Sequence, residues 1–203
     1  MVSLTSGRGR VKIRVSAALP ERRELTTISA RVVVGCAVLL ACAAGWMDLR
    51  SRRIPNWLTV PGFLVGLALG AATGGWSGLK ASLLGAGLGL LLLLPFVLLK
   101  ALGAGDWKLA GALGAFVGPA VLANLLLVSV FVAGLMALGL IVYKRRVGET
   151  MRNIANMVGS LLSLQMPGAE VSLDNPRSLK VPYGVALALT VVAYGAGHIW
   201  RAA

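Results

Sequence analysis

The chain alternates between apolar segments and short polar or glycine-rich breaks. Six apolar segments lie at about 28–47, 57–74, 79–99, 107–122, 123–143 and 181–200. Each is close to the roughly 17–25 residues that a membrane-spanning helix needs. The sequence therefore predicts an all-α polytopic membrane protein with six transmembrane helices in one domain, 28–203. Within 107–143 the turn between two passes is expected at Gly118-Pro119 or at Asn124.

Two polar regions accompany this apolar domain. Residues 1–27 are basic and carry no repeat or motif, which predicts a disordered tail. Between the fifth and sixth helices, a three-four spacing predicts a cytoplasmic amphipathic helix that lies in the interface and covers the bundle or gates access to it. The positions with this spacing are Val147, Met151, Ile154, Val158, Leu161 and Gln165.

Glycine pairs four residues apart recur in the apolar segments. The pairs are Gly66 with Gly70, Gly85 with Gly89, and Gly114 with Gly118. Small residues at this spacing let membrane helices approach closely. In a chain with 26 glycines the same spacing also arises by chance.

The composition agrees with a membrane protein and excludes several kinds of site. The chain is 57% hydrophobic with a mean hydropathy of +0.82. Its net charge of +13 comes from basic residues that cluster at the ends of apolar runs, so it indicates topology rather than nucleic-acid binding. Cys36, Cys42 and His198 are too few and too scattered for a zinc site. Neither a metal nor another cofactor is expected.

Between Leu25 and Tyr143 the only acidic residues are Asp48 and Asp106. A carboxylate near lipid is costly, so an intramembrane acid is by default a candidate functional residue. Two predicted passes separate the two acids, and the chain therefore crosses the membrane and returns. We expect both carboxyl groups on the same side of the bilayer.

Each acid also has a purely structural interpretation. Asp106 precedes a predicted helix and is a suitable N-cap. Asp48 ends the first helix, at the negative end of the helix dipole, where a carboxylate is unfavourable and no cap is needed. Salt bridges to Arg50, Arg52 and Arg53 are an alternative for Asp48. The position, shared side and rarity of the two acids favour a functional role.

Paired carboxyl groups have a chemistry that needs no histidine, serine, metal or cofactor. Two carboxylates held close together do not both ionise easily, so the pair shares a proton. One accepts a proton from water while the other donates a proton to a substrate carbonyl. Gly103 and Gly105, just before Asp106, are expected to permit unusual backbone angles and the close approach of an extended peptide.

These motifs resemble a known family. Gly103-Ala-Gly-Asp106-Trp-Lys-Leu109 resembles the GxGD signature of intramembrane aspartyl proteases. Asp48-x-Arg-x-Arg-Arg-Ile-Pro-Asn56 resembles the first-aspartate motif of the type IV prepilin peptidase and preflagellin peptidase branch. Val181-Pro-Tyr-Gly-Val-Ala resembles the segment that opens the last helix of that branch.

The resemblance implies an aspartyl endopeptidase that cuts leader peptides from prepilin-like precursors, with Asp48 and Asp106 as the catalytic pair. Larger family members also N-methylate the product and carry a four-cysteine zinc motif. This chain lacks that motif and is similar to the short, peptidase-only form of Flp (tight-adherence) pilus systems. The further motif positions implied to place the substrate are Gly103, Gly105, Lys108, Arg50, Arg53, Pro55, Asn56, Pro182, Tyr183 and Gly184. The implied partners are a prepilin-like substrate and the bilayer, with the oligomeric state left open.

The distribution of charge predicts the orientation. With the acids on the cytoplasmic side of the inner (plasma) membrane, eleven basic residues in and beside the loops lie inside and only Lys80 and Arg201 lie outside. The N-terminal tail opposes this bias with seven basic residues. Either the bias of the loops prevails or translation begins later than Met1, and we favour the second interpretation.

Three other functions are consistent with parts of the sequence. A small proton-coupled transporter or channel subunit also uses buried carboxylates, as a proton relay. The segment Leu39-Leu-Ala-Cys42 resembles a lipoprotein signal, and cleavage there would separate Asp48 from Asp106. A membrane scaffold would need neither acid.

Overall fold

The described residues form four helical runs. The computed structural model describes residues 20–99, 102–144, 148, 152 and 182–201. The runs are α1 (Pro20–Ser51), α2 (Asn56–Leu98), α3 (Ala104–Tyr143) and α4 (Tyr183–Arg201). Ser29–Ser51 of α1, all of α2 and all of α3 are long and apolar enough to cross a membrane, and α4 has a shorter apolar part, Tyr183–His198. The chain is therefore a helical membrane protein.

The first helix starts earlier than predicted. α1 begins at Pro20, so residues 20–27 are helical and not part of a disordered tail. Proline suits the first position of a helix, because its missing N–H has no partner there in any case. Residues 1–19 lie outside the described part of the chain. So does the predicted amphipathic helix over 147–165, apart from Gly148 and Arg152.

The long run α2 bends back on itself at Gly75. This glycine has φ 57° and ψ −140°, a conformation outside the helical region that favours glycine. A side chain built at Gly70 would overlap Ser82, and one built at Gly78 would overlap the Gly70 carbonyl. In a straight helix residues 70 and 82 would be about 18 Å apart. The two arms of α2 therefore pack against each other as a hairpin.

The run α3 is interrupted in the same way at Gly118. This glycine has φ 75° and ψ 174°, and Pro119 follows it, without the N–H that would continue the helical ladder. The side chain of Leu122 lies against the backbone position of Gly114. The break falls at the first of the two predicted turn positions, rather than at Asn124.

Close packing between α2 and α3 depends on small residues, as their spacing predicted. The pairs in contact are Gly66 with Ala115, Gly85 with Gly114, and Gly89 with Ala110. At each glycine a side chain would collide with the backbone or side chain of the partner, so the helices approach closely there.

The first arm of α3 is the centre of the bundle. All residues from Leu109 to Phe116 are buried, and they pack with buried residues of α1, α2 and α4. Asp106 lies one turn before this stretch. α1 and α4 are joined by a similar close contact, in which Gly45 lies against Ala188. The core thus brings the end of α1, the start of α3 and the start of α4 together.

Candidate active site

Asp48 lies in the last turn of α1 and is buried, with 7% of its surface exposed. The helix ends at Ser51, and the N–H of Arg52, the next residue, donates to the Asp48 carbonyl at 2.9 Å. The Oδ2 atom of Asp48 is buried and has no hydrogen-bond partner among the residues that the structure describes. A buried polar atom without a partner is costly and calls for a functional explanation.

Asp106 lies in the first turn of α3. The sequence allowed it to be the N-cap, but the cap residue is Gly103, with extended backbone (φ −70°, ψ 140°) and no side-chain cap bond. The helix starts two residues before Asp106, so its carboxyl group reaches back toward the N–H of Gly103. This is the geometry of the third helical position in a capping box. Its Oδ1 atom is buried, and the described part of the chain provides no hydrogen-bond partner for it.

The two unpartnered oxygens both lie beside Gly184. A Cβ built on Gly184 would lie 2.9 Å from Asp48 Oδ2 and 3.1 Å from Asp106 Oδ1. The two oxygens are therefore separated by no more than the sum of these distances, 6.0 Å. The structure thus brings the carboxyl groups of Asp48 and Asp106 together beside Gly184.

The start of α4 provides a favourable environment for Asp48. The backbone N–H groups of Gly184 and Val185 interact with its carboxyl group. The N-terminal amides of a helix carry the positive end of its dipole, which stabilises an acidic group. Asp48 therefore sits at the unfavourable end of α1 and at the favourable end of α4.

The two glycines before Asp106 act differently from the prediction. Neither has a positive φ, so the expectation of unusual backbone angles is wrong. A Cβ at Gly103 would lie 3.0 Å from Asp106 Oδ2, and one at Gly105 would lie 3.0 Å from the Cβ of Ile54. Their missing side chains let Asp106 fold back and let the segment after α1 lie directly on α3.

That segment, Ile54-Pro55-Asn56, joins the two acidic motifs. Ile54 is buried, and its Cδ1 atom lies 3.1 Å from the same Cβ position at Gly184. Pro55 has extended backbone, and its carbonyl accepts the N–H groups that begin α2. Lys108, on α3, donates to Asn56 Oδ1 at 2.9 Å.

The arginines after Asp48 divide into two groups. Arg50 and Arg53, both predicted site residues, lie on exposed surface. Arg52 interacts electrostatically with the Asp48 carboxylate. Its φ is 52°, which is the left-handed conformation often found just after a helix, where the residue is usually glycine. A side chain in this conformation costs about 1–2 kcal/mol. The sequence indicated Arg52 only as a possible salt-bridge partner of Asp48, because it did not show at which residue α1 ends.

Two hydrogen bonds fix the residues adjoining the carboxyl groups. Trp107, next to Asp106, donates its Nε1–H to the Leu90 carbonyl of α2 at 2.6 Å. Tyr183, next to Gly184, has its hydroxyl 2.8 Å from Ser129 Oγ in α3. Ser129 was not predicted, because no motif marks it and 54 residues separate it from Tyr183.

Pro182, next to Tyr183, accepts the first backbone bonds of α4 from Val185 and Ala186.

A pair of this kind suits hydrolysis by general acid–base catalysis. Two carboxyl groups close together share a proton, so one is a base and the other an acid at the same time. Both unpartnered oxygens face the same small space, where a water molecule or a substrate carbonyl would meet them. The backbone N–H groups of α4 lie at the edge of this space.

A family model described as the type IV leader peptidase family matches residues 33–138, just over half of the chain. The matched range includes Asp48, Asp106 and the whole of both acidic motifs. No curated protein and no solved structure matches the chain.

The left-handed conformation of Arg52 predicts the effect of a glycine there. We expect Arg52→Gly to raise the free energy of unfolding by about 0.5–1 kcal/mol, since glycine adopts this conformation without strain but loses more backbone entropy on folding. The measurement is thermal or denaturant unfolding in detergent micelles.

Arg53→Gly is the matched control, because Arg53 has the same side chain and no positive φ. This variant should lower stability by about 0.5–1 kcal/mol. Equal stabilities of the two glycine variants would contradict the assigned conformation of Arg52.

Proposed function

The chain belongs to the type IV leader peptidase family, and we propose that it is an aspartyl endopeptidase that removes leader peptides from type IV prepilin-like precursors. One observation carries this proposal. Asp48 Oδ2 and Asp106 Oδ1 are both buried, neither has a hydrogen-bond partner within the described segments, and both lie beside Gly184. Such a pair is suited to holding a water molecule and a peptide carbonyl.

In the proposed reaction the pair holds one proton. The ionised carboxylate takes a proton from water, whose oxygen attacks the carbonyl carbon of the scissile peptide, while the other carboxyl group gives its proton to the carbonyl oxygen. The group protonated by water then passes that proton to the leaving nitrogen as the C–N bond breaks. The second group recovers its proton from the intermediate's hydroxyl, and the pair again holds one proton.

We further propose that the chain crosses the membrane six times. The reversals at Gly75 and Gly118 support this topology, since each divides one long run into two arms. The two arms of α2 are about 28 and 35 Å long, close to the roughly 30 Å thickness of a bilayer's hydrocarbon core. With α1 and α4 the arms make six passes.

Exposed tryptophans support a position of the carboxyl pair at the membrane surface. Trp46 and Trp57 flank the Asp48 segment, whereas Trp76 follows the Gly75 reversal and Trp200 lies near the end of α4. Tryptophan is enriched at both membrane–water interfaces. The first pair would mark the interface nearest the carboxyl groups and the second pair the opposite one.

The charge in and beside the segments that join the helices supports the cytoplasmic side for the carboxyl pair. The described basic residues at that end of the bundle are Arg50, Arg52, Arg53, Lys108 and Lys144. Outside these segments, Arg22, Arg23 and Arg31 of α1 and Arg201 of α4 lie toward the opposite end. At the opposite end Lys80 lies over the Trp76 ring, 5.5 Å from its centroid, an arrangement typical of an interfacial lysine. An excess of Lys and Arg on one side marks the cytoplasm.

An Flp-type precursor is the substrate class that we propose. The chain lacks the four-cysteine insert of larger family members, since its two cysteines, Cys36 and Cys42, both lie in α1 and are free thiols.

The test is co-expression with a candidate Flp-type precursor, with processing followed by immunoblot. We expect the wild type to cut the precursor and both Asp48→Asn and Asp106→Asn to leave it uncut, because an amide neither accepts nor donates the required proton. Asp174→Asn, outside both motifs, is the control and should process normally. Normal processing by either motif variant would refute the aspartyl-protease mechanism and favour a proton-relay or scaffold function.

The space at Gly184 makes a second prediction. We expect Gly184→Ala to reduce the rate of precursor cleavage at least about 100-fold, because a methyl group would displace the reacting atoms by a substantial fraction of an ångström. The measurement is the initial rate with purified enzyme in detergent. Gly197→Ala, on the same helix with no atom within 4 Å of the added methyl, is the matched control and should keep full activity. Equal activity of the two variants would show that the reaction does not use this space.

A further inference from the structure

A buried serine on α3 is connected to the carboxyl pair through Tyr183. Ser129 has 0% of its surface exposed, and its Oγ lies 2.8 Å from the Tyr183 hydroxyl. We propose that Ser129 is a positioning residue that fixes the start of α4, and with it Gly184, between the two carboxyl groups. This inference rests on the proposed function for its effect on the reaction, but its structural part does not.

The direction of the hydrogen bond follows from counting protons. Ser129 Oγ also lies 2.8 Å from the Leu126 carbonyl, which can only accept. The single hydroxyl proton of Ser129 is therefore donated to Leu126, and Tyr183 donates its own proton to Ser129. Removing the serine hydroxyl leaves the Tyr183 proton without this acceptor, whereas removing the tyrosine hydroxyl leaves Ser129 bonded to Leu126.

The fold places this bond where it determines the position of Gly184. Tyr183 is the first residue of α4 and the direct neighbour of Gly184. Its ring packs against the hydrophobic core, and its hydroxyl reaches the second arm of α3. A Cβ built on Gly184 would lie 2.9 and 3.1 Å from the two carboxyl oxygens, so the backbone of Gly184 runs close to both of them. A change in the anchoring of Tyr183 is therefore transmitted to the reacting groups.

Ser129 reaches Tyr183 only because α3 reverses at Gly118. In a straight helix Ser129 would lie about 35 Å from Asp106. The reversal returns the second arm to the level of the carboxyl groups, so that α3 contributes Asp106 from one arm and the support for α4 from the other. A cavity or a water molecule would not replace this support, since the serine lies in an apolar core.

Other buried hydroxyl groups have a different role. Thr190, also on α4, donates to the Ala186 carbonyl of its own helix at 2.9 Å. Loss of that hydroxyl affects one helix and leaves the relation between α3 and α4 unchanged. Thr190→Val, which keeps the shape of the side chain, is therefore a matched control for loss of a buried hydroxyl.

The activity test uses the purified full-length enzyme and an Flp-type precursor that still carries its leader peptide. We expect Ser129→Ala and Tyr183→Phe each to lower kcat, Ser129→Ala by about tenfold, with KM nearly unchanged. The double variant should be no slower than Ser129→Ala, since both changes break the same bond. Thr190→Val should keep the wild-type kcat. Additive losses in the double variant, or an unchanged kcat in Ser129→Ala, would overturn the proposal.

A second measurement separates this proposal from the proposed function. Amide hydrogen exchange followed by mass spectrometry reports the opening of α4 whether or not the protein cleaves any precursor. We expect at least a tenfold faster exchange in the first turns of α4 in Ser129→Ala, and no such change in Thr190→Val. Failure of the wild type to cleave would refute the peptidase function alone, whereas unchanged exchange in Ser129→Ala would refute the role of Ser129.

Discussion

The structure depends on keeping two carboxyl groups inside an apolar bundle with one oxygen of each unpartnered. Burial of an unpaired acid is expensive, so the surrounding groups must offset that cost. The N-terminal amides of α4 interact with Asp48, and the Gly103 amide interacts with Asp106. These are backbone groups, and the side chain that borders the same space at Gly184 is the apolar one of Ile54. The surrounding backbone amides therefore stabilise the pair, and the unpartnered oxygen of each acid remains available to a substrate.

This arrangement explains why glycine is found at several contacts around the site. Gly105 lets Ile54 lie on α3, and Gly184 leaves the space between the acids. The reversals at Gly75 and Gly118 have a longer-range effect, since they bring distant parts of the chain to one end of the bundle. A site assembled from α1, α3 and α4 needs both the close contacts and the reversals.

The sequence predicted the elements of the site better than their details. The rarity of acids in the apolar region singled out Asp48 and Asp106, and Gly118 was one of two predicted turn positions. The helix start at Ala104 was not predicted, because Gly103 is a weak cap signal compared with Asp106. Arg52 and Ser129 were missed for a different reason. The strain at Arg52 depends on where α1 ends, and the bond of Ser129 depends on a contact between distant segments, neither of which appears in a local pattern.

The central claim is that positions 48 and 106 lie side by side in the membrane. The most direct measurement is cross-linking of Asp48→Cys with Asp106→Cys, in native membranes and in a chain whose Cys36 and Cys42 are replaced by serine. We predict efficient intramolecular bridging by the shortest bifunctional thiol reagents, with lengths of about 5 Å, a distance compatible with direct side-chain interaction. Bridging only by reagents several times longer, or by none, would contradict the account.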